Sequence, residues 1–350
     1  MANVTYTVPN KNGNYDGDMV VKQYTSLIID SGDVVTTDQP CRGLIILVQG
    51  NATINGELRM RGRGAFADPT SSGGSDSNDV STAGLRFPFL TSGGSSSLTA
   101  QSSLLDGCGT TARSVIANFQ TLSSNGTILS LIRQGASGGA ARHATNTGTV
   151  GSAGSTGQTG GGGSGGANYS GTSGAGSYGS CWSGGSGGGA IDNGGSITSG
   201  TPWGGRGGNS ASGHTALSTG GAGNPYGNNH DNHSGSSVPT TEGSGTGGTI
   251  ILIVGGNLTI GSGGKINSDG GRSFHNLNTN DWCSSGGGSG GGNIIIAHKG
   301  SYANNGSVTA NGGYAGKHYT GGVGSSFASG SYIREGGRGG AGSIQALSIL

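Results

Sequence analysis

The chain has 350 residues, of which 82 are glycine and 7 proline, with Lys+Arg 17 against Asp+Glu 16 and a net charge of +1. A balance so near zero argues against a general nucleic-acid binder or a polybasic membrane protein. Glycine in such amount opposes helical bundles, where each costs about 1 kcal/mol relative to Ala, and collagen needs proline at about 15–20% with Gly at every third position, so an all-β, glycine-dependent fold or a disordered Gly/Ser polymer remains.

Residues 1–41 form a first segment without a basic n-region or an apolar h-region at its start, which predicts a chain made in the cytosol and released by lysis or another route. This segment is expected to dock to a larger particle or to pack on the first repeat. Apolar residues gather in compact blocks, Leu27–Ile29, Leu44–Val48, 250–254, Leu258–Ile260, 294–296 and 344–350, most of them bounded by Gly, Asn or Asp. A disordered chain would scatter them, whereas short β-branched blocks between turn residues read as buried strands. The longest of these runs is far short of the roughly 20 residues of a membrane helix, so no membrane insertion is expected.

The blocks recur in a fixed order. Residues 42–64 read RGLIILVQGNATINGELRMRGRG, 247–271 read GGTIILIVGGNLTIGSGGKINSDGG, 291–313 read GGNIIIAHKGSYANNGSVTANGG, and GAGSIQALSIL at 340–350 is a truncated last copy. Each unit is a Gly-led apolar strand, a turn, a second strand, an Asn/Gly turn and a third strand. A unit that cannot bury its own face and must stack on the next predicts a β-solenoid, or β-helix. The first β coil is then 42–64, and the C-terminal coils lie within 247–350.

Between 65 and 246 lies a long glycine-rich insertion, with a less glycine-dominated stretch at 98–134 expected to be a small packing element. Of the glycines, 16 fall in residues 1–130 and 66 in 131–350, and Gly151, Gly154, Gly157, Gly160, Gly163 and Gly166 keep a strict three-residue spacing. Three residues per turn is the period of a polyproline-II-type helix, which has no internal hydrogen bonds. Glycine along its edges would let such helices bond backbone to backbone, as buried amides require. The tracts at 284–292 and 336–340 are expected to add further strands of this kind.

No catalytic constellation emerges. A glycosidase needs two carboxylates about 5–10 Å apart, and no carboxylate pair falls at a spacing that stacked coils would bring together. A phosphate loop needs a following helix. His230 and His233 have a metal-like spacing but read as polar loop residues, and no cofactor is expected. Cys41, Cys108, Cys181 and Cys283 lack zinc-site spacing and are expected to be buried thiols, with a bridge between Cys181 and Cys283 left open. Arg206 and Arg338 each precede Gly-Gly, which glycine-framed turns explain better than nucleic-acid boxes.

Aromatic residues punctuate the glycine tracts: Tyr169, Tyr178, Trp182, Trp203, Tyr226, Phe274, Trp282, Tyr314, Tyr319 and Phe327, with Tyr332 beside them. Tyr and Trp among Ser, Gly and Asn is the chemistry of recognition loops, which offer rigid amphipathic area on adaptable polar backbone. The same residues could instead plug gaps in an interior poor in side chains.

Glycine tracts with aromatic tips, at 151–166, 171–182, 204–208 and 286–292, are similar to those of the glycine-rich tail-fibre adhesins of T-even-like bacteriophages. The strand unit at 290–313 resembles β-helix units of phage tail and bacterial surface adhesins. The resemblance implies packed polyglycine II helices and loops that bind a host surface protein or glycan, with the aromatic residues above as the candidate receptor contacts. It implies a virion protein, assembled in the host cytoplasm and extracellular after release, that meets other virion proteins through its N-terminal region. Such proteins are often trimers, though this chain has no coiled-coil heptads. It implies neither enzyme activity nor nucleic-acid binding. The other reading is a structural protein, either a capsid decoration or an extracellular glycine-rich filament subunit.

Overall fold

The computed structural model describes residues 3–11, 17–65, 135–139, 149–165, 175–179, 182–188, 221, 245–273, 286–319 and 332–348. The expected packing element at 98–134 and the pair Cys181 and Cys283 lie outside them. Among the described residues the regular elements are all strands, and all but one of their pairings are parallel.

The strands come in triplets. The first is β2 (Val20–Tyr24), β3 (Leu27–Ile29) and β4 (Val34–Thr37); the second is β5 (Leu44–Val48), β6 (Ala52–Ile54) and β7 (Glu57–Arg59). The third is β8 (Thr249–Val254), β9 (Leu258–Ile260) and β10 (Lys265–Asn267); the fourth is β11 (Asn293–His298), β12 (Tyr302–Asn304) and β13 (Ser307–Thr309). Like pairs with like. First strands form a sheet ordered β16-β11-β8-β5-β2, where β16 is Ser343–Ser348; second strands form β12-β9-β6-β3; third strands form β1-β4-β7-β10-β13, where β1 is Val4–Tyr6. An antiparallel hairpin joins β14 (Lys317–Tyr319) to β15 (Tyr332–Glu335).

The repeat read from the sequence is therefore the pairing register. Leu44 sits beside Ile250, Ile250 beside Ile294, and Ile294 beside Ile344. Alternate residues of a strand point to opposite faces. Ile250, Leu252 and Val254 accordingly enter one core with Leu44, Ile46, Val48, Ile294 and Ile296 from their own sheet and with Leu27, Ile29, Ile54, Leu58, Leu258, Ile260 and Ile266 from the other two. The other parity, Ile45, Ile251 and Ile295, is also buried. Burial on both faces is why these strands read as unbroken aliphatic runs instead of alternating patterns.

The triplet within 20–37 was not part of the expected repeat, which began at residue 42. It pairs in register with the second triplet, Val20 beside Leu44 and Leu27 beside Ala52. This part of the N-terminal segment thus packs on the first repeat. β1 closes the same end, and Tyr6 and Tyr24 meet there through their hydroxyls, with Lys22 Nζ 4.9 Å from the Tyr6 ring centre. Burial, reinforced by the Tyr24 bond, holds the Tyr6 hydroxyl well above the ordinary phenol range. Nearby, Asp18 and Arg42 are both buried. Burial raises the Asp18 carboxyl, opposed by the 2.8 Å bond from the Asn10 amide and by the Arg42 charge.

The turns repeat as well. Asn257 N–H donates to Asn51 Oδ1 at 2.8 Å, and Asn257 Oδ1 in turn accepts from the Ser301 N–H at 2.9 Å and the Ser301 hydroxyl at 3.0 Å. Side-chain oxygens at equivalent turns thereby satisfy the amides that the turn removes from the sheets. Cys41 is a buried free thiol, as expected for that residue.

Candidate functional site

Glycine segments link the triplets. After β7, β10 and β13 the chain leaves the sheets, and it returns just before β8, β11 and β16. The described parts of these excursions, 135–139, 149–154, 159–165, 175–179, 182–188, 245–248, 268–273, 286–292, 310–316 and 336–342, run beside one another and bond backbone to backbone.

Segment 159–165 shows the rule. Gly160 and Gly163 donate to the carbonyls of Gly291 and Gly288, each at 2.9 Å; Gly161 donates to Ser152 at 3.0 Å and Ser164 to Thr149 at 3.4 Å; Gly162 donates to Ser177 at 2.9 Å. Its carbonyls accept from Ala136 and Gly139, from Gly185 and Gly188, and from Gly337 and Gly340. Residues three apart address the same neighbour, and six described segments surround this one, three accepting its amides and three donating to its carbonyls. Segment 286–292 is surrounded in the same way, donating to 182–188, 336–342 and 268–273 and accepting from 159–165, 310–316 and 245–248.

Only glycine fits at these positions. A Cβ on Gly160 would lie inside 3.0 Å of the Gly340 carbonyl, one on Gly290 inside 3.0 Å of the Gly160 carbonyl, and one on Gly163 inside 3.0 Å of the Gly337 carbonyl. Ser177 and Ser186 enter the interior with their hydroxyls paired, the two oxygens 2.8 Å apart.

The bundle has two distinct ends. Segments 245–248, 286–292 and 336–342 run towards the strands they precede, and 268–273 and 310–316 run away from the strands they follow. The bonds of 159–165 to 286–292 and of 182–188 to 159–165 make both run away from the sheets as well. Gly165, Gly188 and Ser273, where the chain passes out of the described residues, therefore all lie at the end remote from the strands, as do Gly286, where it re-enters, and the β14–β15 hairpin. At the near end the chain turns through 154–159, where Gly157 has φ 76.

The candidate contact residues divide accordingly. Trp182 is wholly buried and packs over Gly43, where a Cβ would come within 3.1 Å of the indole and where φ is +123. It fills the interior next to the sheets and is not a surface tip. Tyr178 and Tyr314 are exposed, at 44% and 62%. Tyr319 sits on β14 in the remote hairpin, opposite Tyr332. Tyr169, Trp203, Tyr226, Phe274, Trp282, Phe327, His230 and His233 lie outside the described residues.

One side of the bundle sets Tyr314 beside charged and polar side chains that were not singled out as contact candidates from sequence. Segments 149–154, 336–342, 310–316 and 268–273 are consecutive neighbours: Gly151 donates to Arg338 at 2.9 Å, Gly339 to Gly313 at 2.9 Å, and Ser273 to Tyr314 at 2.9 Å. Their outward residues come in pairs three apart: Val150 and Ala153, Arg338 and Ala341, Asn311 and Tyr314, Asp269 and Arg272. The Arg338 guanidinium stacks 4.5 Å from the Tyr314 ring centre. Asp269 Oδ1 accepts from the Asn311 N–H at 2.6 Å. The three-residue spacing of these side chains was visible in the sequence; which segments would be neighbours was not.

Among the described residues no group of three or more His, Cys, Asp or Glu is placed to hold a metal ion. No protein-family model, curated protein or solved structure matches the chain.

Proposed function

We propose that this chain is a bacteriophage virion protein, a tail-fibre or tail-tip adhesin that binds a host surface protein or glycan and has no enzymatic role. In this reading the three sheets are the faces of a β-solenoid, with each strand triplet one coil. The glycine segments are polyglycine II helices in hexagonal packing. The solenoid holds the helices by one end, and the far end, where β14 carries Tyr319, faces the receptor. Tyr169, Trp203, Tyr226, Phe274, Trp282 and Phe327 are further contact candidates, with Tyr178 and Tyr314 on the described surface. The N-terminal end, closed by β1, faces the rest of the particle.

The observation that carries this reading is the arrangement of the chain exits. A bundle whose backbone bonds are internally satisfied is a stiff post, and Gly165, Gly188, Ser273 and the β14–β15 hairpin all stand at its end remote from the strands. Rigid scaffolds that display irregular segments at one end are a recurrent solution for recognition. Purified chain added to host cells before the phage should reduce adsorption. Joint substitution of Trp203, Tyr226 and Trp282 by Ala should remove that competition while leaving the unfolding transition in place. Absence of competition by the intact chain, with antibody labelling confined to the capsid, would reject the adhesin reading.

One observation favours the structural alternative, a filament subunit or a decoration. Ile344 continues the core column of Ile294 but is 42% exposed at the C-terminal edge of its sheet. If copies stack through that edge, Ile344→Asp should convert sedimenting oligomers into monomers. If the intact chain is already monomeric at high concentration, stacking is excluded.

A further inference from the structure

We propose that the bundle face formed by Arg272, Asn311, Tyr314 and Arg338 binds an anionic saccharide, a sugar bearing a phosphate or a carboxylate. The inference names a ligand class for the adhesin reading above, and it rests on that reading only for the biological source of the sugar.

Segments 149–154, 336–342 and 310–316 lie in one row, and 268–273 turns the corner beside 310–316, because 336–342, 310–316 and 268–273 are successive neighbours of 286–292. Each brings one outward side chain every three residues, about 9 Å apart along the segment, on ridges about 5 Å apart. Tyr314 stands on the third ridge, between Arg338 on one side and Arg272 on the other. Arg338 covers one side of its ring, so the 62% exposure of Tyr314 comes from the rest of it. An exposed aromatic surface of this kind packs against the C–H face of a pyranose ring. Arg272 is exposed, and among the described residues neither arginine takes part in an ion pair. The two guanidinium groups stand on the ridges either side of the tyrosine and retain donors in the planar fork that suits a phosphate or carboxylate. Asp269, three residues before Arg272, is committed through Oδ1 to the Asn311 amide.

The ligand is narrow. A nucleic acid would need a field spread over many phosphates, and the chain's net charge of +1 does not supply one. A single aromatic flanked by two cations on a stiff backbone instead fits one sugar ring and its acid group. Stiffness matters because the face loses little freedom on binding.

The test uses the full-length chain, with a phosphorylated oligomannose, an oligogalacturonate and neutral oligomannose as probes in titration calorimetry at low and at physiological ionic strength. Binding of one or both charged probes, at least about tenfold tighter than the neutral one, is expected, since each charge-assisted bond contributes about 1.5–3 kcal/mol. Arg338→Gln and Arg272→Gln should each weaken binding about tenfold. Tyr314→Ala should abolish it and Tyr314→Phe should retain it, with the melting transition of every variant checked to hold. Preference for the phosphorylated or the carboxylated probe identifies the acid. Equal binding of the neutral probe, no binding of any probe, or wild-type binding by Arg338→Gln and Tyr314→Ala would overturn the assignment. The assay contains no cells, so its failure is distinct from a failure to compete for phage adsorption.

Discussion

Gly160→Ala isolates what the glycine lattice contributes. The residue is not in the left-handed region, so alanine meets no backbone penalty; the only obstacle is its Cβ, which falls inside 3.0 Å of the Gly340 carbonyl. To admit it, segments 159–165 and 336–342 must part, and the bonds joining them, Gly340 to Gly161 at 2.8 Å and Gly337 to Ser164 at 2.6 Å, lengthen or break. These groups are buried, so each unsatisfied one costs about 1–3 kcal/mol. Against this, alanine restricts the unfolded chain and returns only about 0.4–1 kcal/mol. The net expectation is a loss of about 2–5 kcal/mol. Gly263→Ala is the control, because its Cβ would meet only the Asn55 carbonyl at 3.6 Å, and it should lie within about 1 kcal/mol of wild type. Urea unfolding followed by intrinsic fluorescence and by far-ultraviolet dichroism reads both. Equal midpoints for Gly160→Ala and Gly263→Ala would refute the close packing on which the reasoning depends.

Trp182→Ala should destabilise by about 3–5 kcal/mol, as for other fully buried Trp residues, and should remove a blue-shifted component from the tryptophan emission. Asn257→Ala deletes the acceptor of the Ser301 amide and hydroxyl; a loss of about 1 kcal/mol is expected at this exposed turn, with hydrogen exchange accelerated at Ser301. Tyr6 yields a pH signature. Its folded-state pKa is raised, so its stabilising linkage is intact below the ordinary phenol value of about 10 and is lost as pH rises above it. Wild type should therefore lose stability more steeply than Tyr6→Phe in alkaline unfolding titrations; parallel profiles would contradict the burial of that hydroxyl.

The core was legible where both faces of a strand are buried. Blocks such as 44–48, 250–254 and 294–296 are unbroken because the sheet has two covered faces, and the Gly frames of 250–254 and 294–296 mark where the chain enters from the bundle. Leu27–Ile29 was legible as a buried block, but the triplet at 20–37 escaped the repeat because Lys22 and Gln23 interrupt its first strand. Trp182 shows the limit of local context. A glycine neighbourhood says that space is available but not on which side, and here the space is the hollow above Gly43. Arg272 and Arg338 were invisible as a pair because backbone bonding between the glycine segments brings together residues more than sixty apart in sequence; only their three-residue spacing from Asp269 and Ala341 hinted at outward ridges. The exit of every glycine excursion after a third strand was implicit in the repeat boundaries at 64, 271 and 313.

The account stands on glycine segments held by their neighbours, and amide hydrogen exchange resolved to single residues tests this most directly. The amides of Gly160, Gly161, Gly162 and Gly163, and of Gly288, Gly290 and Gly291, should exchange as slowly as those of Ile251 and Ile295 in the central sheet. Exchange of these glycines at the rate of an unstructured peptide, with the sheet amides still protected, would contradict it.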